Sequence, residues 1–380
     1  MSLEPLLKWA GGKESELPVI QPLLPYKITR YFEPFIGGGA VYFNTRAAQY
    51  FINDRSDELV GLYQSIKSRS AAFYAAIEAI DAAWQKLGVT CQQQTDFLTG
   101  LFHTAPHDDA SRNTWFLQQL DQVASRFLDV TDLPFAGWDR VFQKEILRML
   151  PRKMNRMYEL AESKGSLSPA DVHDNLEGAV RAAFYMTMRT IYNHPEKYGA
   201  PPAMQTAVFL YIRNYAFSGM FRYNDNGEFN VPYGGIGYNR KTLKKKLAYY
   251  QGKPLNDKLG ATTIGNEDFE VFLRRHQPGK SDFVFLDPPY DSEFSSYAGN
   301  TFGREDQLRL ANYLIDECAA PWMVVIKETD FIRGIYTRPG VFIESYDKTY
   351  MVSFKDRNDR EVNHLIITNY PQNDTLQLAA

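Results

Sequence analysis

The chain has 380 residues but only two cysteines, Cys91 and Cys318. Disulfide scaffolds and thiol-based zinc sites are poor fits to so few thiols. Thiols this scarce fit a reducing compartment, and the expectation is a cytoplasmic protein. No run of about 18 apolar residues occurs, so no membrane span is expected. Met1-Ser2-Leu3-Glu4 lacks the basic-then-apolar pattern of an export signal. The six histidines form no convincing metal set. His103 and His107 have ligand spacing, but they sit in a polar stretch without thiol partners, so no metal is expected. Excess positive charge is missing too. The net charge is -3, which by itself speaks against a nucleic-acid binder. Internal repeats and low-complexity tracts are also absent.

Hydrophobic residues make up 44% of the chain, enough for one large domain or two intimate ones. Arg30-Tyr31-Phe32-Glu33-Pro34-Phe35 reads as a strand ending in the glycines 37–39. Ala40-Val41-Tyr42-Phe43 then opens a helix, and Tyr50-Phe51-Ile52 is a second apolar run ending at Asp54. Strand, glycine turn, helix, strand, acid is the grammar of a nucleotide-binding βαβ unit. From about 58 to 200 the apolar spacing predicts helices over Glu58–Ile80, Trp115–Leu128, Trp138–Leu150 and Pro169–Tyr192. Ser168 and Pro169 supply a helix cap and a first-turn proline. The polar stretch Gln92–Asn113 reads as loop. Asn224-Asp225-Asn226-Gly227 between aromatic runs is a hairpin signal. The chain then returns to α/β. Phe283–Leu286 and Trp322–Ile326 are continuous apolar runs, as buried parallel strands require. Arg304–Cys318 reads as a helix. Thr349–Phe354 and Val362–Thr368 read as a terminal hairpin. The expected architecture is an α/β, Rossmann-like domain over 1–60 and 255–380, with a largely helical insert over 61–254.

Asp287-Pro288-Pro289-Tyr290 follows Phe283–Leu286 directly, where open α/β sheets place ligands. Two prolines remove two backbone donors and bias the loop end toward extended conformations. The loop thus presents a carboxylate, a carbonyl and an aromatic ring at fixed spacing. An exocyclic adenine nitrogen is a poor nucleophile, because its lone pair is delocalised into the ring. Asp287 and a proline carbonyl could hold its two hydrogens and favour a tetrahedral nitrogen, while Tyr290 stacks on the base. Gly37-Gly38-Gly39 lets a cofactor approach the backbone. The dinucleotide fingerprint would need glycine at 42, where Tyr42 stands, so hydride transfer is disfavoured. Glu14 after Lys13 breaks a phosphate loop. Asp54 lies 17 residues beyond Gly37, close to the roughly 20 expected of a ribose-binding acid. Neither cysteine follows a proline, so the nucleophile of carbon-5 cytosine methylation is lacking.

From Arg213 to Lys246 there are seven basic residues and two acidic ones, with aromatics interleaved. This island fits either a phosphate-contacting surface or a solvated face over core aromatics. Taken together, the motifs resemble the Dam-type, alpha class of DNA adenine-N6 methyltransferases. The resemblance rests on Leu7–Lys13, Phe32–Val41, Arg222–Asn224 with Gly227–Gly234, and Asp287–Tyr290, in the family's order. It covers about residues 6–60 and 205–370. It implies S-adenosylmethionine as cofactor, contacted by Trp9, Lys13, Phe35, Gly37, Gly39 and Asp287. Lys13 would meet the cofactor's carboxylate, Asp54 its ribose, and Asp268 with Phe269 its adenine. Asp287, Pro288, Pro289 and Tyr290 would bind the flipped target. The resemblance also implies double-stranded DNA as partner, read by a hairpin near 213–238. There Phe217 and Ser218 would wedge into the duplex, Arg222 would read a guanine, and Asn224 and Pro232 would contact DNA. A cognate restriction endonuclease is a further partner that such enzymes have. Phe217-Ser218 departs from the Tyr-Asn typical of Dam enzymes, which leaves a GATC target open. Cytosine-N4 or RNA adenine methylation, and a silent DNA-binding protein of the same fold, are the alternatives. Aspartate at the first motif position favours adenine over cytosine N4.

Overall fold

The computed structural model describes residues 3–128, 133–290, 302–349 and 361–371. The chain forms two compact units, one from 1–67 with 252–380 and one from 68–251.

The first unit is built on a sheet with seven strands among the described residues. These are β1 (Arg30–Glu33), β2 (Gln49–Asn53), β3 (Thr262–Gly265), β4 (Phe283–Leu286), β5 (Trp322–Lys327), β6 (Phe342–Thr349) and β7 (Glu361–Thr368). Their order is β3-β2-β1-β4-β5-β7-β6. The pairs from β3 to β5 are all parallel, and β7 runs antiparallel to both of its neighbours. This is the Rossmann-like α/β sheet that the sequence predicts. Every residue of β4 is buried, as are the first five of β5, because helices cover both faces of a parallel sheet. Phe32, Val284, Leu286 and Val324 from the strands pack with Phe272, Leu310 and Ile332 from helices into one core. From β1 the chain winds outward through β2 to β3, then returns to the other side of β1 as β4. Strand order therefore reverses between β1 and β4, and the loops after these two strands flank a crevice.

Several boundaries differ from the sequence reading. The first strand stops at Glu33, not Phe35. The helix starting at Arg304 is α-helical to Asn312 and closes in a wider π-turn over Tyr313–Glu317. The terminal pairing joins β7 to β6, eight residues that begin at Phe342. Of the expected strand Thr349–Phe354, only Thr349 lies among the described residues. β6 escaped notice because Glu344, Asp347 and Lys348 interrupt its apolar pattern.

The second unit is mainly helical. Helices span Ala71–Gln93, Thr95–Thr104, Asp109–Gln118, Leu120–Leu128, Trp138–Lys164, Pro169–Asn193, Pro202–Tyr215 and Lys244–Tyr250. The expected Glu58–Ile80 helix is broken at Arg69, whose φ of 52° is left-handed, into Asp57–Lys67 and Ala71–Gln93. Gln92–Asn113 is not loop. Leu98, Leu101 and Phe102 bury one face of the Thr95–Thr104 helix. Pro151 does not end the Trp138 helix, which continues to Lys164 around a buried stripe of Leu150, Met154 and Met157. Burial of that stripe outweighs the roughly 3 kcal/mol that an interior proline costs. Ser168 caps the next helix as expected, its hydroxyl accepting the Asp171 amide at 3.1 Å. No described helix is long and apolar enough to cross a membrane.

Candidate active site

In the first unit, the loops after β1 and β4 carry most of the residues singled out. Gly37 and Gly39 have φ of 47° and 80°, which L side chains rarely adopt. A Cβ on Gly37 would press on the Trp9 indole at 2.8 Å, and one on Gly39 would meet the Tyr63 hydroxyl at 2.6 Å. The glycines thus let Trp9 lie against the backbone. Asp54 Oδ2 accepts the Gly37 amide and Oδ1 accepts the Ser56 amide, each at 3.0 Å. Burial raises the Asp54 pKa against the pull of these amides.

Asp287 stands at the end of β4. Lys13 Nζ is 2.5 Å from Asp287 Oδ1 and donates to the Tyr290 hydroxyl at 3.2 Å and the Gly11 carbonyl at 3.1 Å. Lys13 is buried, so this ion pair is well shielded from solvent. Behind it, Glu16 lies 4.0 Å from Lys13, accepts the Tyr346 hydroxyl, and sits 3.3 Å from His364 Nδ1. Nothing in the sequence marks this layer, because Glu16 meets Tyr346 and His364 only across nearly the length of the chain. Pro289 also acquires an unforeseen partner. Its carbonyl accepts the buried Gln307 amide at 2.7 Å. Glu33, at the end of β1, accepts the Tyr31 hydroxyl at 2.6 Å. Burial pushes its carboxyl well above the usual range, and the nearby Asp287 charge adds to the rise.

Asn53 ties the strand ends together. Its amide donates to the carbonyls of Pro34 and Glu267 and its oxygen accepts the Glu267 amide, at 2.9–3.1 Å. Asp268 caps the helix Phe269–His276 and is gripped by Arg309 through two bonds of 2.8 and 2.9 Å. Burial works to raise its pKa, but Arg309 outweighs that and holds it low. Phe35, Phe269 and Phe302 cluster with ring centroids 5.4–5.9 Å apart, making an apolar wall beside the β1 loop.

In the second unit, residues 216–233 form a hairpin closed by isolated bridges at Ala216–Tyr233 and Tyr223–Phe229. Asn224 holds its turn, with Oδ1 accepting the amides of Asn226 and Glu228 at 3.1 and 2.9 Å. Arg222 is exposed and donates to Asn230 Oδ1 at 2.7 Å. Phe217 is exposed beside Ser218, whose φ of 52° is left-handed, and the Pro232 carbonyl accepts the Phe217 amide at 2.9 Å. Two members of the basic island have structural partners instead. Arg213 is buried over the Phe221 ring, donates to the Met220 carbonyl, and has its pKa lowered by burial to about 10. Lys241 donates to the Asn214 carbonyl. His173, Asp174 and Glu177 come close enough to share an ion, but Glu177 is already paired with Arg181 at 2.6 Å.

Comparison with known proteins gives a consistent picture. The family described as D12 class N6 adenine-specific DNA methyltransferase matches residues 9–97 and 156–353. A Paramecium bursaria Chlorella virus NC1A protein, Type II methyltransferase M.CviBI, is 27% identical over 97% of this chain and all of its own. Type II methyltransferase M1.LlaDCHI of Lactococcus lactis is 25% identical over 97% of this chain and 96% of its own. The DNA adenine methylase of Vibrio cholerae is 23% identical, covering 90% of this chain and 82% of its own.

Proposed function

Since this chain belongs to the D12 class N6 adenine-specific DNA methyltransferases, we propose that it takes its methyl group from S-adenosylmethionine and acts on an adenine flipped out of duplex DNA. The observation that carries this reading is Asp287-Pro288-Pro289-Tyr290 at the end of β4, at the strand-order reversal, with Lys13 on the carboxylate. The cofactor, when bound, supplies an electrophilic methyl on a sulfonium. Asp287 and the Pro288 carbonyl accept the two N6 hydrogens. The Pro289 carbonyl is already committed to Gln307, which points to Pro288 for this task. Held so, N6 presents its lone pair away from the ring, and the Tyr290 ring fixes the plane of the base. Lys13 orients Asp287 and balances its charge, and Asp287 accepts the proton that N6 sheds once the nitrogen–carbon bond has formed.

The residues present suit the cofactor. Gly37 and Gly39 leave no room for side chains, Asp54 is fixed by two amides for a ribose edge, and Phe35 with Phe269 offers an apolar wall for a flat ring. The first unit is assigned to catalysis and the second to target recognition. Phe217 and Ser218 serve as the wedge, Arg222 reads a guanine, and Asn224 and Pro232 shape the reading edge. GATC is the candidate target, and pairing with a restriction endonuclease is the candidate context; the viral and lactococcal relatives are named Type II methyltransferases. Duplexes with 2-aminopurine at the target adenine test the flipping step. The prediction is a several-fold fluorescence rise on binding, lost in Phe217→Ala. Binding with no rise would refute flipping.

A further inference from the structure

The Trp138–Lys164 helix carries a basic residue at every fourth position: Arg140, Lys144, Arg148, Arg152 and Arg156. All five are exposed. Residues four apart are neighbours on successive turns, so the five form one winding ridge about 24 Å long. The helix buries a different stripe, Phe142, Ile146, Leu150 and Met154, so the ridge is left to solvent. Between 138 and 156 the only acids are Asp139 and Glu145, against six basic residues, in a chain whose net charge is -3. Glu145 pairs with Arg148 and Glu159 with Arg156, each at 2.7 Å. Arg140, Lys144 and Arg152 have no acidic partner among the described residues. Like charges four apart repel and weaken a helix, and a polyanion along the ridge would relieve that cost.

Position within the unit gives the ridge a direction. Four residues join this helix to Pro169–Asn193, so the two run antiparallel and the Arg140 end lies by the Asn193 end. The Ala136 amide bonds the Tyr198 carbonyl at 3.2 Å, which fixes that arrangement. Asn193 in turn bonds the backbone of Phe229 in the hairpin. The ridge thus starts at the hairpin-bearing end of the unit and runs away from it. Most of it, Arg140 to Arg152, falls in the segment 98–155 that the family does not match.

We propose that this ridge is a second DNA contact, gripping backbone phosphates beside the recognised sequence without reading bases. The proposal rests on duplex DNA being the substrate. Phosphates recur about every 3.4 Å of duplex axis on each strand and wind around it, so a straight ridge about 24 Å long can meet a few of them but not every one it spans. No large hydrophobic side chain is exposed between 138 and 156 among the described residues. A protein partner would want an apolar anchor there, and a phosphate surface needs none.

The test is a triple variant, Arg140→Gln, Lys144→Gln and Arg152→Gln, which leaves both ion-paired arginines in place. Binding is measured against salt on two duplexes with the same target. One ends just beyond the target and the other extends at least two helical turns further. Removing three phosphate contacts lowers the slope of log affinity against log salt by about 2.7 on the long duplex. On the short duplex the slope and the methylation rate stay as in the unmodified protein. An unchanged slope on the long duplex overturns the proposal and leaves the ridge to an acidic protein. An equal drop on both duplexes also overturns it, because the contacts would then lie within the read site. A charge-keeping variant, Arg140→Lys with Arg152→Lys, retains the full slope, and a loss there would equally contradict a phosphate role. Methylation of the short duplex by both proteins keeps the adenine reading intact whichever way the slope falls.

Discussion

At the scale of single residues, two side chains show how context reverses a general expectation. Gly88 sits inside the Ala71–Gln93 helix, where alanine would ordinarily stabilise by about 1 kcal/mol. Here a Cβ would collide with the Arg181 guanidinium, which is buried over Trp84 and paired with Glu177. Gly88→Ala is therefore expected to lose about 1–3 kcal/mol in urea unfolding, as overpacking does, and a gain would contradict that packing. Lys258 is the second case. Its ammonium bonds the Thr45 carbonyl at 2.7 Å and lies over the Tyr50 ring, and burial lowers its pKa to about 8. The unfolded value is about 10.4, so the unfolded chain binds more protons between the two. The stability linked to this group is present above the unfolded value and is lost as pH falls through about 8. Stability should thus rise between about pH 8 and 10, and Lys258→Met should flatten that rise. An equal slope in the variant would contradict it. Neither residue was legible in the sequence, because each acts through a partner far along the chain.

At the scale of elements, the Pro169–Asn193 helix acts as a splint for the hairpin. Asn193 exchanges two bonds with the Phe229 backbone, at 2.9 and 3.1 Å, as a neighbouring strand would. Tyr185 and Arg189 both donate to the Val231 carbonyl at 3.1 Å. Asn193→Ala should loosen the hairpin that we propose reads the DNA and leave the chemistry alone. The expected result is a roughly ten-fold higher KM for DNA at nearly unchanged kcat. A fall in kcat at constant KM would contradict the splint. The helix itself was legible from its apolar spacing and its Ser168 cap, but its use was not. Its link to the hairpin is a set of side-chain bonds to the hairpin backbone, which leaves no mark on composition. β4 and β5 were legible for the opposite reason, since burial on both faces demands unbroken apolar runs such as Phe283–Leu286.

At the scale of the whole molecule, the Rossmann-like sheet and the Asp287 loop could be read in advance, because local motifs mark strand ends. The layer behind them could not. Glu16, His364, Gln307 and Arg309 reach the site through pairings the sheet creates between distant segments. In the proposed mechanism Asp287 is the group that prepares the adenine nitrogen. The direct test compares the protein with Asp287→Ala on duplex DNA and labelled S-adenosylmethionine, with nucleosides resolved by mass spectrometry and cofactor binding by calorimetry. N6-methyladenine is expected from the unmodified protein. The variant should lose at least about a hundred-fold in rate with cofactor binding retained. Label on cytosine, or near-normal adenine methylation by the variant, would contradict that mechanism.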